Sequence, residues 1–307
     1  MKADRPIVVV GSHVPGLFVH VEAVPREGET VLAWGFDEPE DGGKATNQAV
    51  AAAKLGAPVR VITLLGSDER GRRWRRILAG YGVDLEFAFT ADGPTDVGFV
   101  MLPPSRVPAI ASSVDRSRGL DAGRIDAAAP AFIDASLVIC QLEAPSECAL
   151  AAFRHAREVG ARTILNPAPA APLDAELLEL TDVLIPNEHE AAALAGVDAP
   201  PERLAALLSE RLDGRHAIVT AGGAGVWIAC DGVVAHESAP RVEAVDTTGA
   251  GDAFVGALAV RLRAGDDVPE AVRFGVRAAS LSVMRQGTMP AFATADELPA
   301  HEPAATV

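Results

Sequence analysis

The stretch "AVDTTGAGDAFVGALAVRLRAG", Ala244 to Gly265, decides how this chain reads. Gly249, Ala250 and Gly251 carry little or no side chain, and they run straight into an apolar pattern of helical period. In parallel α/β sheets, glycine turns that open helices lie outside the carboxyl ends of the strands, where ligands bind. Their N–H groups stand at the positive end of the following helix, so the stretch predicts an oxyanion or phosphate cradle. Asp252 then puts a carboxylate beside an anion site. It is either a base that takes a proton from an attacking hydroxyl or a helix-start charge favoured by the dipole.

Outward from this turn the chain alternates short β-branched runs with Ala/Leu-rich helical segments. "IVVV" (7 to 10) precedes Ala45 to Leu55, "VRVITLLG" (59 to 66) precedes "RGRRWRRILAGYG", and "ASLVICQL" (135 to 142) precedes "ECALAAFRHAREVG". "ARTILN" (161 to 166), "TDVLIPN" (181 to 187) and "HAIVTAGG" (216 to 223) continue the rhythm. Repeated βα units predict an α/β fold, a mostly parallel sheet with helices on both faces. Two segments break the pattern. Residues 18–36 and 86–112 alternate, with Pro/Gly turns and no helix, and predict small antiparallel strands that either form a lid over a site or stand as surface hairpins.

The chain has 307 residues, 49% of them hydrophobic, which predicts one main domain over 1–307. A net charge of −15 argues against nucleic acid as a partner, because phosphate backbones are bound by Lys and Arg. The Arg cluster of 70–76 reads as the solvated face of a helix whose apolar stripe is Trp74, Ile77 and Leu78. The apolar run at the N-terminus is too short for a signal or membrane segment, and a cytoplasmic protein is expected. Cys140, Cys148 and Cys230 lack metal-site spacing and read as buried free thiols. The tail "LPAHEPAATV" reads as frayed. The loop "GSHVPG" after the first strand is not the G-x-G-x-x-G of a dinucleotide oxidoreductase.

"DTTGAGD" resembles the signature of the ribokinase-like (PfkB) family of sugar and nucleoside kinases. "DGGKATNQAVAAAKLGAPV" (41 to 59) resembles that family's N-terminal signature, and "QLEAP" (141 to 145), "LNPAPA" (165 to 170), "PNEHEA" (186 to 191) and "VTAGGAGVW" (219 to 227) fall in its order. The resemblance implies a ribokinase-like fold and an ATP-dependent kinase acting on a hydroxyl, primary by expectation, of a small sugar or sugar-like polyol. It implies Asp252 as general base and the Gly249–Ala250–Gly251 turn as anion hole. Asn187 and Glu190 match positions near the phosphates and a magnesium ion, Glu190 through water; alone they read as a helix N-terminus. Thr220, Gly222, Gly223 and Gly225 match a nucleotide-binding turn, or a plain hairpin.

For the acceptor, the resemblance implies Gly42, Gly43, Asn47 and Glu143, with Lys44 beside them as a contact or a solvated residue. Asp246, Thr248, Ser282, Arg285, Gly287 and Ala291 match positions that supply oxygens to a monovalent cation, K+ by expectation. Many relatives pair their lids in a homodimer, which is a further expectation. The pattern also departs from the family: Val14 and Gly16 stand where Asn and Asp bind sugar hydroxyls, and Ala45 replaces a glycine. His13 is either a compensating hydroxyl partner or a structural histidine, and Val276, near the adenine in relatives, offers only an apolar face. A nucleoside kinase and a non-catalytic sugar-binding protein stand as the alternatives.

Overall fold

The computed structural model describes residues 5–105, 109–113 and 119–299. The chain starts with strand β1 (Ile7–Val10), followed by β2 (Gly16–Val21), β3 (Ala33–Asp37), helix α1 (Lys44–Lys54), β4 (Val59–Ile62) and β5 (Leu64–Gly66). Then come α2 (Glu69–Gly80), β6 (Val83–Asp84), β7 (Phe89–Ala91), β8 (Val97–Leu102), β9 (Ala109–Ser113), α3 (Ala122–Ala127), β10 (Leu137–Gln141) and α4 (Ser146–Glu158). The second half adds β11 (Arg162–Asn166), α5 (Ala175–Glu179), β12 (Val183–Leu184), α6 (Glu188–Ala195), α7 (Pro201–Arg211), β13 (His216–Thr220), β14 (Val226–Cys230), β15 (Val233–Glu237), α8 (Ala250–Ala264) and α9 (Val268–Ser282).

Among the described residues the main sheet runs in the order β15-β14-β13-β12-β11-β10-β1-β4-β6. Every pair from β13 to β6 is parallel, and β14 and β15 extend one edge in antiparallel pairing. This is the expected α/β fold. Both faces are covered, which is why β1 is an unbroken apolar run rather than an alternating one. Ile7 and Val9 pack on one side with α1, α8 and α9, while Val8 and Val10 pack on the other with α4 and α7, all four at most 1% exposed. The period-two geometry of a strand sends alternate residues to opposite layers.

The two irregular segments build a small sheet, β3-β2-β8-β9. Each half is an antiparallel pair, β2 with β3 and β8 with β9, as the alternation implied. The seam between the halves, Gly16–His20 against Gly98–Leu102, is parallel. Phe89–Ala91 stays out of this sheet and pairs with Leu64–Gly66, so the small sheet is built from Gly16–Val21, Ala33–Asp37, Val97–Leu102 and Ala109–Ser113. Residues 106–108 of the expected lid edge, and residues 300–307 of the expected frayed tail, lie outside the described residues. Leu298, within that tail motif, is buried at 3% exposure.

The arginine cluster rides on α2 as a paired, solvent-facing surface. Arg70 and Arg73 meet Glu38 at 3.0 and 2.8 Å, Arg72 and Arg76 meet Glu69, and Trp74 and Leu78 are fully buried beneath them. Cys140 and Cys148 are buried as expected; Cys230 is only half-buried, because β14 lies near the antiparallel edge where fewer elements cover it. Among the described residues, no helix is long and apolar enough to cross a membrane.

Candidate active site

Glycine at 249 is required by the backbone and by space. It caps α8 with φ of 74°, a left-handed conformation, and a Cβ there would lie 2.4 Å from Thr288 Cγ2. The turn places Asp252 in the first helical turn, at 7% exposure. Of the three N–H groups expected to form an anion hole, that of Ala250 donates to the Thr247 carbonyl at 3.3 Å. Those of Gly249 and Gly251 have no protein acceptor among the described residues, as befits the open end of a helix.

Asp252 is held from α1. Asn47 Nδ2 donates to its Oδ2 and Gln48 Nε2 to its Oδ1, each at 3.0 Å. Gln48 is itself fixed on both sides: Nε2 also reaches Asn166 Oδ1 at 3.0 Å, and Oε1 accepts from Gln141 Nε2 at 2.6 Å. The base candidate is therefore oriented by a chain of amides reaching the ends of β10 and β11. Close approach of α1 and α8 makes this possible. At Gly256 a Cβ would stand 2.6 Å from Ala51 Cβ and 2.9 Å from the Gln48 carbonyl oxygen.

Electrostatically the site is four carboxyl groups, Asp252, Glu143, Glu190 and Asp41, around one ammonium. Burial pushes Asp252 up to about 6, with Lys44 and the two amides pulling it back. Burial also raises Glu143, to about 7, helped by the Asp252 and Asp41 charges and opposed by Lys44. Glu143 Oε2 accepts the Lys44 backbone N–H at 2.9 Å, satisfying an orphan donor at the start of α1. For the Lys44 ammonium, burial works downward, but Asp252, Glu143, Glu190 and Asp41 outweigh it and hold its pKa above the ordinary value. Lys44 is thus a partly buried counter-charge and not a solvated helix-start residue.

Two cavities meet at this point. One, of about 820 Å³, is lined by Asp41, Gly43, Asn47 and Glu143, roofed by Phe18 and Val100 of the small sheet, and floored by Thr248. The other, of about 140 Å³, is lined by Asn187, Glu190, Thr220, Ala250 and Gly251. Lys44, Gly249 and Asp252 line both. Apart from Phe18 and Val100, these residues gather at the carboxyl ends of the parallel strands, as the glycine turn implied.

The remaining candidates divide. Asn187 and Glu190 form a capping box at α6, with 2.9 Å bonds in both directions, so the structural reading of that pair holds; Glu190 still lines the smaller cavity, using only Oε2 in the box. Thr220 pairs beside Asn187, whereas Gly222 and Gly223 form an exposed turn into β14 and Gly225 packs against the Glu237 backbone. Gly42 fits against His13, whose ring is buried, bonded to Thr46 Oγ1 at 3.2 Å and set edgewise on Trp74. Burial lowers His13 to about 3, so it stays neutral at the cavity wall. Val276 packs in the core at 5% exposure and presents no open face. Position 276 points into the layer between α9 and the sheet.

Asp246 ties the two loops of the expected cation site together. Its Oδ2 accepts from Gly287 N–H at 3.0 Å and its Oδ1 from Thr248 N–H at 3.0 Å. Ser282 donates to the Ala279 carbonyl, and Arg285 pairs with Glu297 at 2.7 Å while reaching the Ala291 carbonyl. Side chains here hold the loops, which leaves backbone carbonyls as the candidate ligands. Sequence reasoning missed Gln48, Gln141, Asn166 and Asp41. All four sat inside quoted motifs, and Gln141 also ends the apolar run of β10, where a polar residue signals the edge of a site.

Sequence comparison matches the chain over residues 7–295 to the pfkB family carbohydrate kinases. The chain belongs to this family. It is 34% identical to a deoxyribokinase of Salmonella typhi, over 95% of this chain and 96% of that one. It is also 34% identical to a bifunctional ribokinase/ribose-5-phosphate isomerase A of Fructilactobacillus sanfranciscensis, covering 96% of this chain and 55% of that protein's length. In structure it is similar to an Arabidopsis thaliana ribokinase complexed with ribose and ATP, with a TM-score of 0.85, 29% identity, and 96% and 97% of the two chains covered. As a pfkB kinase it is an ATP-dependent carbohydrate kinase.

Proposed function

We propose that this kinase transfers the γ-phosphoryl group of ATP to a hydroxyl, primary by its reach into the neck, of a small sugar or sugar-like polyol. The observation that carries the reading is the neck itself: a carboxylate, an ammonium and the open end of a helix stand where an acceptor cavity meets a phosphate-sized one. Asp252 takes the proton from the acceptor hydroxyl, the new O–P bond forms at the γ-phosphorus, the bond to the β-phosphate oxygen breaks, and ADP leaves. Gly249, Ala250 and Gly251 hold charge on the group in transfer, and Lys44 balances it. Magnesium on the phosphates neutralises their charge; Glu190, with one oxygen outside its capping box, fits a contact to it through water. The carbonyls around Asp246, Thr248, Ser282, Gly287 and Ala291 fit a monovalent cation, and K+ stimulation belongs to this reading.

The deoxyribokinase and the ribose-bound ribokinase among the relatives support a pentose-sized acceptor. A nucleoside is the second reading, favoured by the apolar wall of Phe18, Val100, Leu64 and Leu120. We place the enzyme in the cytoplasm, working as a single domain and paired as a homodimer through the outer face of its lid. Gly98 and Val100 line the cavity, so Phe99 between them turns outward, and it shares the lid with Leu32, Trp34 and Phe36, all exposed. Coupled ATP turnover across pentoses, hexoses, polyols and nucleosides, with Asp252→Asn as control, tests the reading. Equal turnover by that variant on the best acceptor would overturn the mechanism.

A further inference from the structure

The acceptor cavity lacks a side chain at one expected position, and an aromatic ring occupies the room beside it. Gly16 opens β2 on the cavity wall, and a Cβ at that position would lie 2.6 Å from Phe18 Cε2. The Phe18 ring fills the space into which a side chain at position 16 would extend. Across from it runs the segment that leads into α1: Gly16 N–H donates to the Asp41 carbonyl at 3.2 Å and Val14 N–H to the Gly42 carbonyl at 2.9 Å.

That pairing delivers a different carboxylate to the same cavity. Asp41 Oδ1 accepts from Asn47 Nδ2 at 2.8 Å and from Gly43 N–H at 3.3 Å. The same Asn47 nitrogen donates to Asp252 Oδ2, so one amide holds the two carboxylates side by side. Asp41 lines the cavity, and its Oδ2 has no protein donor among the described residues. We propose that Asp41 is the residue that selects the acceptor: its Oδ2 accepts hydrogen bonds from hydroxyls neighbouring the one that Asp252 deprotonates, while Phe18 packs on the acceptor's CH face. The proposal rests on the phosphotransfer reading above.

A partly buried carboxylate that finds no hydroxyl stays unpaired, so such a site rejects deoxy acceptors more strongly than an apolar pocket rejects extra groups. The test takes the sugar or polyol with the highest kcat/KM and its monodeoxy analogues, with wild type, Asp41→Ala and the isosteric Asp41→Asn. Wild type should disfavour one deoxy analogue by about 10- to 100-fold in kcat/KM, the range of a charge-assisted hydrogen bond. Asp41→Ala should raise the acceptor KM by about the same factor, leave the KM for ATP within about twofold, and erase the discrimination against that one analogue. Asp41→Asn should fall between, and it carries the test if the alanine variant fails to fold in a thermal melt. An unchanged acceptor KM, a loss equal for every deoxy analogue, or a fall in kcat alone would overturn the role of Asp41 while leaving phosphotransfer intact. A wild-type enzyme silent on every acceptor would overturn the phosphotransfer reading, and this proposal with it.

Discussion

Asp252 should impose an acid limb on the enzyme that a single substitution removes. Its carboxyl is pushed up to about 6 by burial, while the Lys44 ammonium and the amides of Gln48 and Asn47 limit the rise. A base with that pKa is almost wholly ionised at pH 7.5 and about one-tenth ionised at pH 5, so kcat/KM for the acceptor should fall about tenfold between them. The assay is coupled ADP release at saturating ATP from pH 5 to 8.5. Glu143, at about 7, titrates in the same window and shares Lys44, so the wild-type profile reports the group jointly. Glu143→Gln keeps an acceptor oxygen for the Lys44 N–H and should leave the lower step alone. Asp252→Asn should cost at least ~10²-fold in rate and flatten the profile around pH 6.

Stability gives an independent check of sign. A folded-state pKa raised from 3.8 to about 6 means that the folded protein holds the proton more tightly. The resulting stabilisation is full below the unfolded pKa and is lost as pH rises through 6. Compared in a Glu143→Gln background, so that the titration coupled to it drops out, the protein with Asp252 should therefore lose on the order of 2–3 kcal/mol relative to Asp252→Asn between pH 4 and pH 7 in urea unfolding. Wild-type activity that is flat down to pH 5, or a residual Asp252→Asn rate that still falls with a midpoint near 6, would refute the assignment.

Three further outcomes follow from the same geometry. Gly256→Ala drives a methyl into Ala51 and the Gln48 carbonyl at under 3 Å, so it should cost about 1–3 kcal/mol in chemical unfolding and lower kcat through the displaced Gln48. Lys44→Met removes the ammonium that lowers both Asp252 and Glu143, so it should shift the acid limb to higher pH and reduce kcat by at least about tenfold, read from the same pH–rate profile. Trp34→Ser with Phe36→Ser strips the exposed apolar face of the lid, whose residues are 62% and 61% exposed, and should convert a dimer to a monomer in light scattering without lowering the melting temperature by more than a few degrees.

Most of the scaffold was legible because its signals are local. The apolar run of Ile7 to Val10 and the stripe of Trp74 and Leu78 each state their structure within one segment. The lid was legible as strands but not as a sheet: alternation identifies each antiparallel half, whereas the parallel seam joins residues some eighty positions apart, beyond any local period. In the site, Asp252 announced itself through the glycine turn. Gln48 did not, since its function comes from α8 approaching α1 at Gly256, a contact between segments about 200 residues apart.

The acceptor wall shows the deeper reason why part of a site escapes a reading taken position by position. Val14 and Gly16 read as a lost anchor, because a pattern asks only what stands at each place. In space, 14–16 and 41–42 are bonded neighbours, so what leaves one strand can arrive from the other. Phe18 occupies the room beside Gly16, and Asn47 holds Asp41 next to Asp252. The departures at Val14 and Gly16 and the carboxylate of Asp41 are then one rearrangement, constrained by a backbone pairing and a shared amide. The catalytic half of the neck, fixed by a helix start whose chemistry does not depend on the acceptor, has no such freedom. Variation in the acceptor should accordingly be confined to the wall built by β2 and the segment before α1.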